Sequence, residues 1–356
     1  MPKGRCLIET CALRNLAEPS TYPLRAAARL QETIARVRFK LLIHRARRAF
    51  IKSALPAFAA LALLGATVSV AACREVTHAE NAPPPRPAMF KLTDSDSEIY
   101  LFGTVHILPP ELKWRTPAFD AALAKANRVY FETPSGPDAE ARAIALTQSL
   151  GMNPPGVTLD SYLTPAEQER LRAAAAKAGT TIENLQPMRP WLAAIMVSLS
   201  AMMEAGQDPN AGVENVIEAE AGKSGKSLEY FETIDEQLGL FAKLSEQSQK
   251  AILIASLDDI EEGPALTHKL DQAWVTGDLR TLDSFVNGDM RRLDMAVYKA
   301  ILVNRNANWT KQIDALMQAD QKGATIFIAV GAGHLAGKDG VPAMLEKLGY
   351  KVDRVQ

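Results

Sequence analysis

The sequence predicts an α/β fold, on three observations. Strand-type apolar runs are few and short, the stretches between them are long and helical in pattern, and a strand followed by Gly-x-x-His occurs near each end of the body. Near-continuous apolar strands suit a mostly parallel sheet covered on both faces. The expected architecture is therefore a mostly parallel central sheet contributed by the two ends of the body, with a mostly helical insertion between them.

The elements follow in order. Apolar runs at 89–92 and 98–102 flank Asp94-Ser95-Asp96-Ser97, a hairpin-like turn. Residues 128–131 and 228–231 predict a third and a fourth strand. Residues 325–330 are almost wholly apolar and predict a buried strand, and 351–355 the last one. Thr164, Pro165 and Glu167 supply an N-cap, a first-position proline and a capping-box partner for a helix ending near Ala178. Further helices are predicted at 190–205, 210–222, 235–244, 248–260, 264–275, 290–302, 306–319 and 341–348, the last stopped by Gly349.

The formal net charge of −1 hides a split. Residues 1–52 carry twelve basic and three acidic side chains, whereas residues 53–356 carry 28 basic and 38 acidic ones. An acidic body argues against nucleic acid as a partner, because phosphate binding needs a basic face. The three cysteines are Cys6, Cys11 and Cys73, so residues 74–356 can form neither an internal disulfide nor a thiolate metal site. A metal there has to be held by His and carboxylate.

Residues 45–73 have the layout of an export signal: a basic start, an apolar run at 53–72, and small residues before Cys73. Arg47-Arg48-Ala49-Phe50-Ile51-Lys52 resembles a twin-arginine signal. Val70-Ala71-Ala72-Cys73 resembles a lipobox, whose cysteine becomes the lipidated first residue of a bacterial lipoprotein. Arg74 follows it rather than an inner-membrane-retaining Asp, so the expected address is the outer membrane facing the periplasm, with inner-membrane anchoring as the alternative. Residues 1–44 read as a basic tail or as a start site set too early. Residues 74–88, with Pro83-Pro84-Pro85-Arg86-Pro87, read as an extended tether, and 89–356 as one α/β domain.

Two repeats carry the chemistry. The strand at 98–102 runs into Gly103-Thr104-Val105-His106, and the strand at 325–330 into Gly331-Ala332-Gly333-His334. The tetrapeptide Tyr-Phe-Glu-Thr occurs at 130–133 and again at 230–233, ending a strand with Glu132 and Glu232 respectively. In open α/β sheets ligands bind at the carboxyl ends of strands. Two imidazoles and two carboxylates gathered there can hold Mn²⁺, Co²⁺ or Zn²⁺, or serve as acid and base without metal. Of the other histidines in residues 74–356, His78 lies in the tether and His268 in a polar helical stretch. Gly222-Lys223-Ser224 lacks the spacing of a P-loop. Met196, Met202 and Met203 with Trp191 read as core. The junction at 304–309 packs Arg305 among three asparagines, suited either to orienting a polar substrate group or to starting a helix.

At these residues the chain resembles the TraB/GumN family, related to the Tiki metalloproteases. The resemblance rests on Leu101-Phe102-Gly103-Thr104-Val105-His106, on the acidic run 228–233 with Glu236-Gln237, on Arg305-Asn306 with Trp309, and on residues 330–337 around His334. It implies an α/β fold of two pseudo-repeated halves and a divalent-metal-dependent peptidase. His106, His334, Glu132 and Glu232 would then be metal ligands, the two glutamates sharing ligand and general-base roles, and Arg305 would stabilise developing negative charge. Relatives in the wider superfamily include haem-binding ChaN-like lipoproteins and erythromycin esterases. A tethered binding protein for haem or another small ligand is thus the alternative, and an envelope-polysaccharide assembly factor a third.

Overall fold

The computed structural model describes residues 84–94, 97–319 and 323–356. The basic segment 1–44, the export signal with Cys73, and the tether up to residue 83 lie outside the described residues. All described residues fall within one compact unit, Ala72–Gln356.

A mixed six-stranded sheet has the order β4-β3-β5-β2-β1-β6. Strands β1 (Met89–Thr93) and β2 (Ser97–Thr104) form the antiparallel hairpin that the Asp94–Ser97 turn predicts, and Asp94 closes it by accepting from the Ser97 backbone N–H at 2.7 Å. β2 pairs in parallel with β5 (Ala324–Gly331), β5 with β3 (Arg128–Phe131), and β3 with β4 (Ser227–Tyr230). Four strands therefore run the same way, and their carboxyl ends share one edge of the sheet. In the β2–β5 pairing Gly103 stands opposite Val330 and Thr104 opposite Gly331, so the two Gly-x-x-His turns leave the sheet side by side. β6 (Val352–Arg354) pairs with β1 at the far edge.

Strand alternation divides the apolar residues between two faces. Phe102, Val129, Phe131, Phe327 and Ala329 pack on one face under the helices Pro117–Lys125, Val213–Lys223 and Pro264–Val275. Ile99, Leu101, Tyr130, Ile326 and Ile328 pack on the other under Asn304–Gln318 and Val341–Lys347. A third apolar cluster, centred on Trp191, is made by helices including Pro165–Lys177, Pro190–Glu204 and Glu246–Glu262. The Thr164–Glu167 capping box forms as predicted.

Two departures from the sequence reading bear on the site. The helix predicted at 290–302 is broken: Gly288–Leu293 and Met295–Tyr298 are separate, and a π-helical turn, Lys299–Val303, leads straight into Asn304–Gln318. Asp294 makes the break by turning to extended backbone and accepting from the Ala296 N–H at 2.7 Å. Arg305 consequently sits within a continuous helical run rather than at a helix start. The helices Pro117–Lys125 and Pro137–Leu150 were not predicted. Each has a proline among its first positions, which suits a helix start but gives no signal alone.

Candidate functional site

Each of the four parallel strands delivers one ionisable side chain to the shared edge. Glu132 follows β3 directly, Glu232 lies two residues beyond β4, His106 two residues beyond β2, and His334 three residues beyond β5. Glu232 is set by what comes next: Thr233 caps the helix Ile234–Ala242 in a reciprocal capping box with Glu236, which ends the strand and fixes the turn. The backbones of the two glutamates also touch, the Glu232 N–H donating to the Glu132 carbonyl at 2.9 Å.

The side chains meet through Arg305. Its Nε donates to both Glu232 oxygens at 3.0 Å, and one terminal nitrogen lies 2.7 Å from Glu132 Oε2 and 2.9 Å from Glu232 Oε2. The other donates to the Ile301 carbonyl at 3.3 Å and meets His334 Nε2 at 3.1 Å. All five N–H donors of the guanidinium are thereby committed. Arg305, Glu132 and Glu232 are each under 10% exposed, so the charges compensate one another out of water. Trp309, one helical turn on, donates from Nε1 to Glu232 Oε1 at 2.9 Å and carries the guanidinium over its ring at 4.6 Å.

The tautomer of His334 follows from its neighbours. Asn306 Nδ2 donates to the Asp339 carbonyl at 2.7 Å, so Asn306 Oδ1 must face His334 Nδ1, 2.5 Å away. An amide oxygen only accepts, so Nδ1 carries the proton and Nε2 keeps its lone pair, directed at Arg305. Burial lowers the His334 pKa to about 4, and the ring is neutral at pH 7. Burial alone would raise Glu132, but the charge His334 takes on in acid, the Arg305 and His106 charges, and the Gly331 N–H, which donates to Oε1 at 2.8 Å, hold it well below the usual carboxylate range. Gln237 adds a donor to Oε2 at 3.3 Å.

His106 belongs to the same site from the open side. Its ring is 68% exposed, and its Nδ1 pairs with Glu214 Oε1 at 2.8 Å. The Glu214 carboxylate pushes the His106 pKa up to about 9, a pull that solvent at the exposed ring screens in part. The point of convergence is Gly331. A Cβ placed there would lie 3.2 Å from Glu132 Oε1, 3.7 Å from His334 Cδ2 and 3.9 Å from His106 Nε2. Glycine keeps that point clear.

The sequence left open which glutamate plays which part, and the geometry separates them. Both oxygens of Glu232 are taken by Arg305 and Trp309, so Glu232 anchors the arginine. Arg305 has no spare donor for a developing charge: as placed it is a clamp. Among the described residues no three His, Cys, Asp or Glu side chains stand at ligand spacing as a group. The donor types, imidazole nitrogen and carboxylate oxygen, are nevertheless ones that first-row divalent ions take. His334 Nε2 and Glu132 Oε1 are 3.9 Å apart, wider than the roughly 3.3 Å that two bonds of about 2 Å span at a tetrahedral angle, and His106 Nε2 flanks the same glycine. The condition is that the Arg305 hydrogen bond to His334 Nε2 be exchanged for the ion.

Two participants were not assigned roles by the sequence. Glu214 lies 108 residues from His106, inside a helix whose pattern carries no signal for the site. Asn306 adjoins Arg305, and that adjacency was the available clue.

A model of the TraB/PrgY/gumN family matches residues 88–354. The chain belongs to that family. Over 198 residues it is also 28% identical to a protein of Amphimedon queenslandica named metalloprotease TIKI homolog, an alignment covering 49% of this chain and 38% of that one. The chain thus spans well under half the length of that relative. No solved structure matches.

The two histidines give opposite pH signatures. His334 has its folded pKa below its ordinary 6.5, so its contribution to stability is whole above pH 6.5 and is lost as pH falls through about 4. His106 has its folded pKa above 6.5, so its contribution is whole below pH 6.5 and is lost as pH rises through about 9. Thermal unfolding across pH 4–9 should show both slopes. His334→Gln should flatten the acid side alone and His106→Gln the alkaline side alone; unchanged slopes in either variant would contradict the assignment.

Proposed function

We propose that this family member is a divalent-metal-dependent hydrolase acting on peptides, working as an exported, lipid-tethered domain. One observation carries the catalytic reading: His106 Nε2, Glu132 Oε1 and the His334 ring surround the same side-chain-free glycine. The named activity of the metalloprotease homolog to which the chain is similar supports it.

In this reading His106, His334 and Glu132 would hold the ion. A divalent ion held by these groups supplies Lewis acidity towards a peptide carbonyl. The chain's own residues do the rest. Asn306 keeps the Nδ1 proton of His334 in place, so the Nε2 lone pair stays aimed at the site. Glu132, held ionised, is the carboxylate that keeps its Oε1 beside the glycine and would bind the ion. Glu232 and Trp309 fix Arg305, and Arg305 fixes the Oε2 side of Glu132. The two donors Arg305 can release without losing a carboxylate are the N–H groups now on His334 Nε2 and on the Ile301 carbonyl. Calorimetric titration with Mn²⁺ should show one binding event in the wild-type domain, lost in His106→Ala and in His334→Ala. Equal metal content in all three proteins would defeat the reading.

The tether rests on the Arg47–Lys52 and Val70–Cys73 patterns. Among the described residues no helix is long and apolar enough to cross a membrane; in this proposal Cys73 is the point of attachment. Expression with labelled fatty acid should mark the wild-type protein and leave Cys73→Ser unlabelled. Label retained in that variant would remove the lipid anchor.

A further inference from the structure

The first Gly-x-x-His turn is braced from outside the strand that carries it. The helix Val213–Lys223 begins against this turn, with the Val213 N–H donating to the Val105 carbonyl at 3.0 Å. Gly212, just before the helix, lies so close that a Cβ there would stand 2.2 Å from the His106 carbonyl oxygen and 2.9 Å from its carbon. Those atoms are backbone and have nowhere to go, so only glycine permits the approach. The approach sets Glu214, in the first helical turn, beside the imidazole. Its Oε1 faces His106 Nδ1 at 2.8 Å and accepts a second hydrogen bond from the Thr104 hydroxyl, two residues before the histidine.

The pair differs from an ordinary surface ion pair, which loses much of its worth to side-chain entropy and solvent. Glu214 is only 21% exposed, against 68% for the ring. Its carboxylate is fixed by Thr104, and its backbone by the Val213–Val105 bond and the Gly212 contact. An ionised carboxylate only accepts hydrogen bonds, so it dictates that Nδ1 bears the proton. The remaining nitrogen, Nε2, is the one beside Gly331, Glu132 and His334.

We infer that Glu214 is a positioning residue that fixes the ring orientation and the Nδ1–H tautomer of His106, so that Nε2 is the atom presented to the site. Glu214 matches Asn306, which does the same for His334 with a neutral amide. The inference uses the site of the proposed hydrolase but requires no bound metal.

Long-range ¹H–¹⁵N correlation NMR of the histidine side chains, recorded on metal-free protein at a pH where His106 is neutral, tests it. The wild-type ring should carry its proton on Nδ1. Glu214→Ala should relax His106 to the tautomer mixture of a free imidazole, and Glu214→Gln, whose amide oxygen can still accept, should restore the Nδ1–H form. An Nε2–H ring in the wild type, or the wild-type tautomer kept in Glu214→Ala, would overturn the inference. The wild-type spectrum decides the matter even if a variant fails to fold. Calorimetry with Mn²⁺ on the same proteins should show binding weakened roughly 10–100-fold in Glu214→Ala and largely recovered in Glu214→Gln. Absence of Mn²⁺ binding in the wild type would count against the hydrolase reading, while the tautomer would still judge Glu214.

Discussion

A single guanidinium organises the candidate site. Arg305 is buried, and a buried cation is tolerated only with close compensation. Here the compensation comes from the tips of two neighbouring parallel strands, Glu132 and Glu232, and from the lone pair of His334. Because every N–H of the arginine is used, its orientation admits little freedom. Trp309 closes the arrangement by bonding Glu232 on one side and packing against the His334 ring, 4.4 Å between centroids, on the other.

The sheet makes this meeting unavoidable. β2, β5, β3 and β4 run in parallel, so residues hundreds of positions apart in sequence leave by one edge. The helix Asn304–Gln318 lies across that sheet with Trp309 and Ile313 in the core beneath, and the π-helical turn before it sets where Arg305 falls. π-helical turns are uncommon and occur often beside functional residues. The two histidines come out of this scaffold unequal. One is buried, neutral and backed by an amide; the other is exposed, backed by a carboxylate and drawn towards its charged form.

Much of this was legible in the sequence, and the rest was hidden for identifiable reasons. The α/β class followed from apolar runs such as 325–330. The four strand-end residues followed from two short repeats, because a carboxylate or imidazole ending an apolar strand stands out against its neighbours. The division of labour between Glu132 and Glu232 was not legible, since both stand in the same tetrapeptide; what distinguishes them is the contact with Trp309 on one and the Gly331 N–H on the other. Arg305 was found, but its part was not: a cation near carboxylates in sequence terms does not reveal whether its donors are free. Glu214 was missed because its link to His106 runs through a close packing at Gly212, which no periodicity reports. The break at Asp294 was missed because a capping aspartate within a helical pattern looks like any surface charge.

The dependence of the site on Arg305 is tested most directly by a double-mutant cycle in chemical denaturation, with Arg305→Met, Glu132→Gln and the pair combined. Breaking a buried ion pair from one side costs about 3–5 kcal/mol, so each single variant should lose stability on that scale. The combined variant should lose much less than the two together, leaving a coupling of about 1–3 kcal/mol. Losses that add to within about 0.5 kcal/mol would mean that the arginine and the carboxylate do not hold each other, and the clamp at the centre of the site would not exist.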